Sequence, residues 1–290
     1  MKPIYLSEIT TNDGLVHQGI FYKPKTSGKK ALLWIHGLTS NFYGNVKRID
    51  AVVTACEKNG IGFASFNNRG HDMLASAHKT DPQKKSGYSY VTIGSGNEMF
   101  EACIDDIDAG IEFLVKEGFS EIFLVGSSTG ANKAAYYSST QKNKNLKGTI
   151  LLSPISDRLL AGIAWYKIVF LKILVALGLG EKIISSGSYF PGTPKRFLSL
   201  ITPKSPEDIF NYGDPEPCLE QFSKISIPMF ILLGGADTLA DRSIETIKLQ
   251  YDTHQKSSFY KSHILADANH SFDGNEKELV ELIIHWIKEV

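Results

Sequence analysis

Six short stretches, 31–35, 61–66, 121–125, 149–152, 228–233 and 259–265, are almost unbroken runs of apolar residues separated by longer amphipathic segments. A strand with one wet face alternates apolar and polar side chains. A run without alternation is covered on both faces, which is the signature of a parallel sheet sandwiched between helices. Two further runs, Tyr5–Thr10 and Leu15–Tyr22, straddle Asn12-Asp13-Gly14, a hairpin signal that puts an antiparallel start on the sheet. Helical periodicity covers 46–58, 98–116, 131–139, 244–250 and 276–289. In the last of these Leu279, Ile283, Trp286 and Ile287 recur on one stripe. The expected architecture is α/β and doubly wound, a mostly parallel eight-stranded sheet with helices on both faces.

The rhythm breaks between the fourth and fifth apolar runs, where about seventy residues carry no strand pattern. The expectation is a helical cap insertion at 156–225, with the core formed by 1–155 and 226–290. Segment 159–180 (LLAGIAWYKIVFLKILVALGLG) is the most apolar in the chain. Its length invites comparison with a membrane span, but Lys167 and Lys172 lie in its middle, each costing roughly 2.5–3.5 kcal/mol at a bilayer centre. A cap over a pocket is the expected role, with Trp165, Tyr166 and Phe170 as candidate substrate-binding residues. Pockets of that kind are mainly apolar with few polar anchors.

Composition removes several other classes. The 31 basic and 31 acidic side chains cancel, which leaves no net charge to attract nucleic acid or an anionic surface. A chain of 290 residues needs no disulfide or metal staple. Cys56, Cys103 and Cys218 are far apart and form no C-x-x-C pair, so they read as reduced, packed thiols, and neither zinc nor another metal is expected. The N-terminal stretch has no uninterrupted apolar segment of signal-peptide type, so a cytoplasmic location is the expectation. Gly94-Ser95-Gly96 follows no clear strand and lacks a third glycine, and nucleotide binding is discounted.

The chemistry concentrates at Gly126-Ser127-Ser128-Thr129-Gly130, which follows the run EIFLV and opens a helix. G-x-S-x-G in a strand–turn–helix context holds a serine hydroxyl on a sharp bend at the sheet's carboxyl edge. Glycine two positions either side removes the clashes such a bend creates. Ser128 is therefore the candidate nucleophile, and Ser127 does not fit the spacing. A serine hydroxyl needs a base, and the base an orienting carboxylate, in the chain order serine, acid, histidine. Asp237, just past a strand end, and His270, in the loop before the last helix, fill those places. Asp241 and Asp267 are the rival carboxylates. His36 tempts as a base but reads as structural. Two backbone donors should meet the oxyanion, the Thr129 N–H and the Leu38 N–H of the HGLTSN loop.

These motifs, Ile35-His36-Gly37, Asn68-Arg69-Gly70-His71-Asp72, Gly126–Gly130, Gly235-Ala236-Asp237 and Asn269-His270-Ser271-Phe272, occur in the order of the α/β-hydrolase superfamily, and the chain resembles it from about residue 31 to the end. HGLTSN and the capped organisation resemble bacterial serine carboxylesterases, including the cinnamoyl (feruloyl) esterase-like group. The resemblance implies an eight-stranded sheet, a Ser–His–Asp triad and no cofactor, with Arg69 and Asp72 bracing a loop. Ser127 stands where many relatives carry histidine, so pocket details need not transfer. A serine at the elbow argues against the branches that use aspartate there.

The expected activity is hydrolysis of small carboxylic esters, of short-to-medium acyl or aryl type, through an acyl-enzyme. Amidase, peptidase, acyltransferase and C–C hydrolase readings share the triad. A ligand-sensing protein on the same fold is the alternative outside enzymology, and an exposed apolar cap could pair two subunits as a homodimer.

Overall fold

The computed structural model describes residues 4–26, 28–161, 165–185, 190–214 and 219–290, so Cys218 lies outside the described residues. Six strands run parallel in the order β4 (Gly62–Phe66), β3 (Lys30–Ile35), β7 (Glu121–Ser127), β8 (Leu146–Leu152), β9 (Met229–Gly234) and β10 (Tyr260–Leu265). On the β4 side, β2 (Leu15–Tyr22) pairs antiparallel with β4 and with β1 (Tyr5–Thr10). Gly14, in the β1–β2 turn, takes φ +89°, a conformation glycine adopts at little cost.

The sheet has ten strands rather than eight. The two additions, β5 (Ala75–Thr80) and β6 (Tyr88–Ile93), form a hairpin that continues along the edge of β2 beyond β4. Its inward side is small, Ala77 and Ile93 closing on Leu15. On the hairpin His78 stacks on Tyr88 with ring centroids 4.1 Å apart.

Both faces of the parallel strands are covered, as unbroken apolar runs require. Alternate residues (Leu33, Ile35, Leu124, Leu151, Ile231) pack under α2 (Cys103–Lys116), α3 (Thr129–Thr140) and α7 (Ile244–His254). The intervening ones (Leu32, Trp34, Val125, Ile150, Leu232) pack under α1 (Val46–Asn59) and α8 (Glu276–Glu289). The helical pattern expected from 98 is a 3₁₀ turn, Phe100–Ala102, that runs on into α2. Cys56 and Cys103 are buried.

Between β8 and β9 lie α4 (Asp157–Ala161), α5 (Trp165–Ala176) and α6 (Pro194–Ile201). Leu171 of α5 packs with Phe197, Leu200 and Ile201 of α6 in a small cluster of its own. Ile209, Phe210, Tyr212, Leu219, Phe222 and Ile225 instead join the main core.

The α8 stripe anchors the second face. Trp286 is fully buried, stacks on Phe230 at 5.7 Å and meets Phe123 edge-on at 6.0 Å. Gly148 makes room for it, since a Cβ there would stand 2.7 Å from the indole. Trp286→Ala should therefore lower the unfolding free energy by about 3–5 kcal/mol, measured by denaturant titration with intact secondary structure as the control.

Candidate active site

The chain leaves β7 and enters α3 through one residue. Ser128 takes φ 57° and ψ −130°, a backbone region that costs a non-glycine residue about 1–3 kcal/mol. It is held from both sides: Ser128 N–H donates to the Leu152 carbonyl of β8 at 2.9 Å, and the Ser128 carbonyl accepts from Ala131 N–H at 2.7 Å. A Cβ on Gly126 would lie 2.3 Å from the Gly130 carbonyl oxygen, and one on Gly130 2.3 Å from that of Ile35. Only glycine fits at either position.

Three strand ends converge on the Ser128 hydroxyl. Asp237 follows β9, and its Oδ1 accepts the Leu239 N–H at 2.9 Å, which aims Oδ2 at the Nδ1 of His270, 2.6 Å away. His270 follows β10 and places Nε2 2.8 Å from Ser128 Oγ. The Asp237 side chain is completely buried and that of His270 14% exposed, so the imidazole meets solvent while its orienting carboxylate does not. Of the rival carboxylates, Asp241 pairs with Arg242 at 2.7 Å and Asp267 is exposed.

The loop after β3 lies directly against the nucleophile. A Cβ on Gly37 would stand 2.9 Å from Ser128 Cβ and 3.4 Å from its Oγ. Close approach is thus the reason for this glycine, whose φ is not positive. The strained residue in the loop is Thr39, at φ 54°, whose N–H donates to Ser95 Oγ at 2.7 Å. His36 Nε2 accepts the Asn68 N–H at 3.1 Å, so the ring proton sits on Nδ1 and points at the Gly37 carbonyl, 3.0 Å away. Burial pushes this imidazole down to about 3, which keeps it neutral and fixes it as a brace. Among the described residues Leu38 N–H and Thr129 N–H bond to no other backbone group, and the latter is in the first turn of α3, where amides lack intrahelical partners.

Arg69 and Asp72 do brace the neighbouring loop. Arg69 Nη2 meets Asp106 Oδ1 at 2.8 Å, and Asp72 Oδ1 accepts from Asn41 Nδ2 at 3.0 Å.

A buried ionic network joins this site to the insertion. Lys133 of α3 donates to Asn68 Oδ1 at 2.9 Å and to Glu98 Oε2 at 2.5 Å. Arg196 of α6 reaches Glu98 Oε1 at 3.3 Å, Glu207 Oε1 at 2.9 Å and the Ser95 carbonyl at 2.8 Å. Two cations thus face two carboxylates, and Asp157 is a further acid at their edge. Burial, and then the charge of Glu207, push its carboxyl up to about 7; the Thr129 hydroxyl, Arg196 and His270 pull the other way. Asp157 Oδ2 and Thr129 Oγ1 have no partner in hydrogen-bond geometry among the described residues. Asp157 too follows a strand end, the same sequence signal that marks Asp237, and is absent from the candidates above.

The candidate lining residues are placed differently from expectation. Trp165, Tyr166 and Phe170 are exposed, and α5 turns Leu171 instead toward α6. The sequence pattern distinguishes an apolar helix from a polar one but not which of its faces is covered.

Strand order, elbow and the insertion after β8 define an α/β-hydrolase fold. The chain belongs to the family described as "Protein of unknown function (DUF1749)", which matches residues 3–288. No curated protein matches it. Solved structures similar to it include the esterase Pf2001 of Pyrococcus furiosus (19% identity, TM-score 0.61, 99% of this chain and 91% of that one). Est1E of Butyrivibrio proteoclasticus, with ferulic acid bound, is similar at 16% identity and TM-score 0.67 over 98% of each chain. The siderophore hydrolase EstB of Aspergillus fumigatus follows at 16% identity and TM-score 0.62, over 99% of this chain and 98% of that one.

A carboxyl raised by burial keeps its proton in the folded protein after the unfolded chain has lost it. Folding stability therefore falls as pH rises from about 4 to about 7 and stays reduced above that. Asp157→Asn should raise the melting temperature at pH 8 and lose that advantage at pH 4, as read by calorimetry across the range.

Proposed function

We propose that the chain is a serine hydrolase that cleaves small carboxylic esters through an acyl-enzyme. The observation that carries this reading is the hydrogen-bonded series from Ser128 Oγ through His270 to Asp237, at 2.8 and 2.6 Å, anchored at three strand ends. The esterase and hydrolase names of the similar structures agree with it.

In this reading Ser128 Oγ attacks the ester carbonyl as its proton passes to His270 Nε2. Asp237 keeps the Nδ1–H tautomer and steadies the imidazolium. The oxyanion forms against the Leu38 and Thr129 N–H groups. His270 then gives the proton to the departing alkoxide, which leaves as the alcohol. A water molecule next adds to the acyl carbon while its proton goes to His270. Collapse releases the acid and returns that proton to Ser128.

Residues 156–225 act as a cap on the core of 1–155 and 226–290, fastened through Arg196. Asp157, beside Thr129, puts one ionisable group at the inner edge of the cap, and the imidazolium formed at His270 favours its ionised form. Short-to-medium acyl or aryl esters are the expected substrates, and the reaction needs no cofactor.

A fluorophosphonate should label wild-type protein at Ser128 and leave Ser128→Ala unlabelled. Turnover of p-nitrophenyl and hydroxycinnamate esters should fall by on the order of 10⁴ to 10⁶ in the variant. Labelling elsewhere, or turnover unchanged in Ser128→Ala, defeats the reading.

A further inference from the structure

Helix α5 is apolar on nearly every side, yet only Leu171 of its twelve residues is buried. Trp165 is 75% exposed, Tyr166 58%, Phe170 57% and, just past its end, Leu177 69%; Val169 and Ile173 are exposed between them. Large contiguous apolar surfaces on soluble domains mark sites of association. At 3.6 residues per turn these six side chains fall within an arc of about 140°. The side turned to α6, with Ile168 and Leu171, lies opposite that arc.

The charges decide what covers it. Lys172 borders the arc on one side and Lys167 on the other, both exposed. Segment 159–180 contains no aspartate or glutamate. A two-fold pairing of this helix with its own copy would set the same patch against itself. The lysines would then meet apolar side chains or each other, with no carboxylate on the segment to answer them. A lipid surface answers both features: apolar side chains enter the acyl boundary, Trp and Tyr sit at the headgroups, and lysines extend to anionic phosphates from either flank. No helix among the described residues is long and apolar enough to cross a membrane, so the helix would lie in the interface plane.

We propose that α5 docks the protein on anionic lipid bilayers, with Trp165, Tyr166, Phe170, Ile173 and Leu177 entering the interface and Lys167 and Lys172 contacting headgroup phosphates. The inference goes beyond the hydrolase reading and does not rest on it. Net neutrality of the chain does not oppose it, because the surface potential of a membrane acts on charges within about a Debye length.

The chain carries its own reporter. Its other two tryptophans, Trp34 and Trp286, are buried, so a change in emission on adding lipid reads Trp165. Vesicles of phosphatidylcholine with phosphatidylglycerol should shift emission to the blue and sediment the protein, more weakly at high salt and more weakly with phosphatidylcholine alone. Phe170→Ser combined with Leu177→Ser should abolish both signals. Lys167→Gln with Lys172→Gln should weaken binding to the anionic vesicles roughly thirtyfold, at about a factor of five per lysine. The same results are expected on a Ser128→Ala background, so loss of esterase activity and loss of lipid binding are separately readable. Emission unmoved by anionic vesicles overturns the proposal. So does a stable dimer in which Trp165 is already shielded and from which Phe170→Ser releases monomer.

Discussion

The site depends on one crowded crossing of backbones. Where β7 turns into α3, the carbonyls of Ile35, Ser127 and Gly130 and the side chain of Ser128 lie too near Gly37, Gly126 and Gly130 for any Cβ. The strained φ of Ser128 persists because hydrogen bonds to Leu152 and Ala131 fix the residue on both sides. That crossing brings the β3 loop against the hydroxyl and sets the hydroxyl facing the β9 and β10 loops. Hydrogen bonds then finish what sterics begin, Leu239 N–H orienting Asp237 and Asp237 orienting His270.

Much of this was legible in the sequence because it rests on local rules. Doubly covered strands need unbroken apolar runs, and the elbow needs its two glycines. The eight expected strands correspond to β1 to β4 and β7 to β10. The hairpin β5–β6 escaped because Ala75 and Ala77 are the only apolar residues of β5, and alanine gives almost no hydropathy contrast. Position in space was less accessible than element type. Gly37 serves close approach to Ser128 and takes no positive φ, and the two demands leave the same mark on a sequence.

The polar centre shows the limit more clearly. Glu98, Lys133 and the nearby pair Arg196 and Glu207 come from three distant segments, and nothing in their spacing announces that they are buried together. Asp157 draws its character from that assembly: four charges that balance, and a fifth group that has reason to remain neutral. Chain-wide neutrality likewise hides a segment that carries cations and no anions.

The seating of Arg196 also limits how α6 can move. Lifting α6 would pull a guanidinium from two carboxylates and a carbonyl in dry surroundings, and stranding such a group costs on the order of 3–5 kcal/mol. Motion within the insertion therefore falls to α5, which meets α6 through a small apolar cluster, while α6 stays put as the fixed pier of the span.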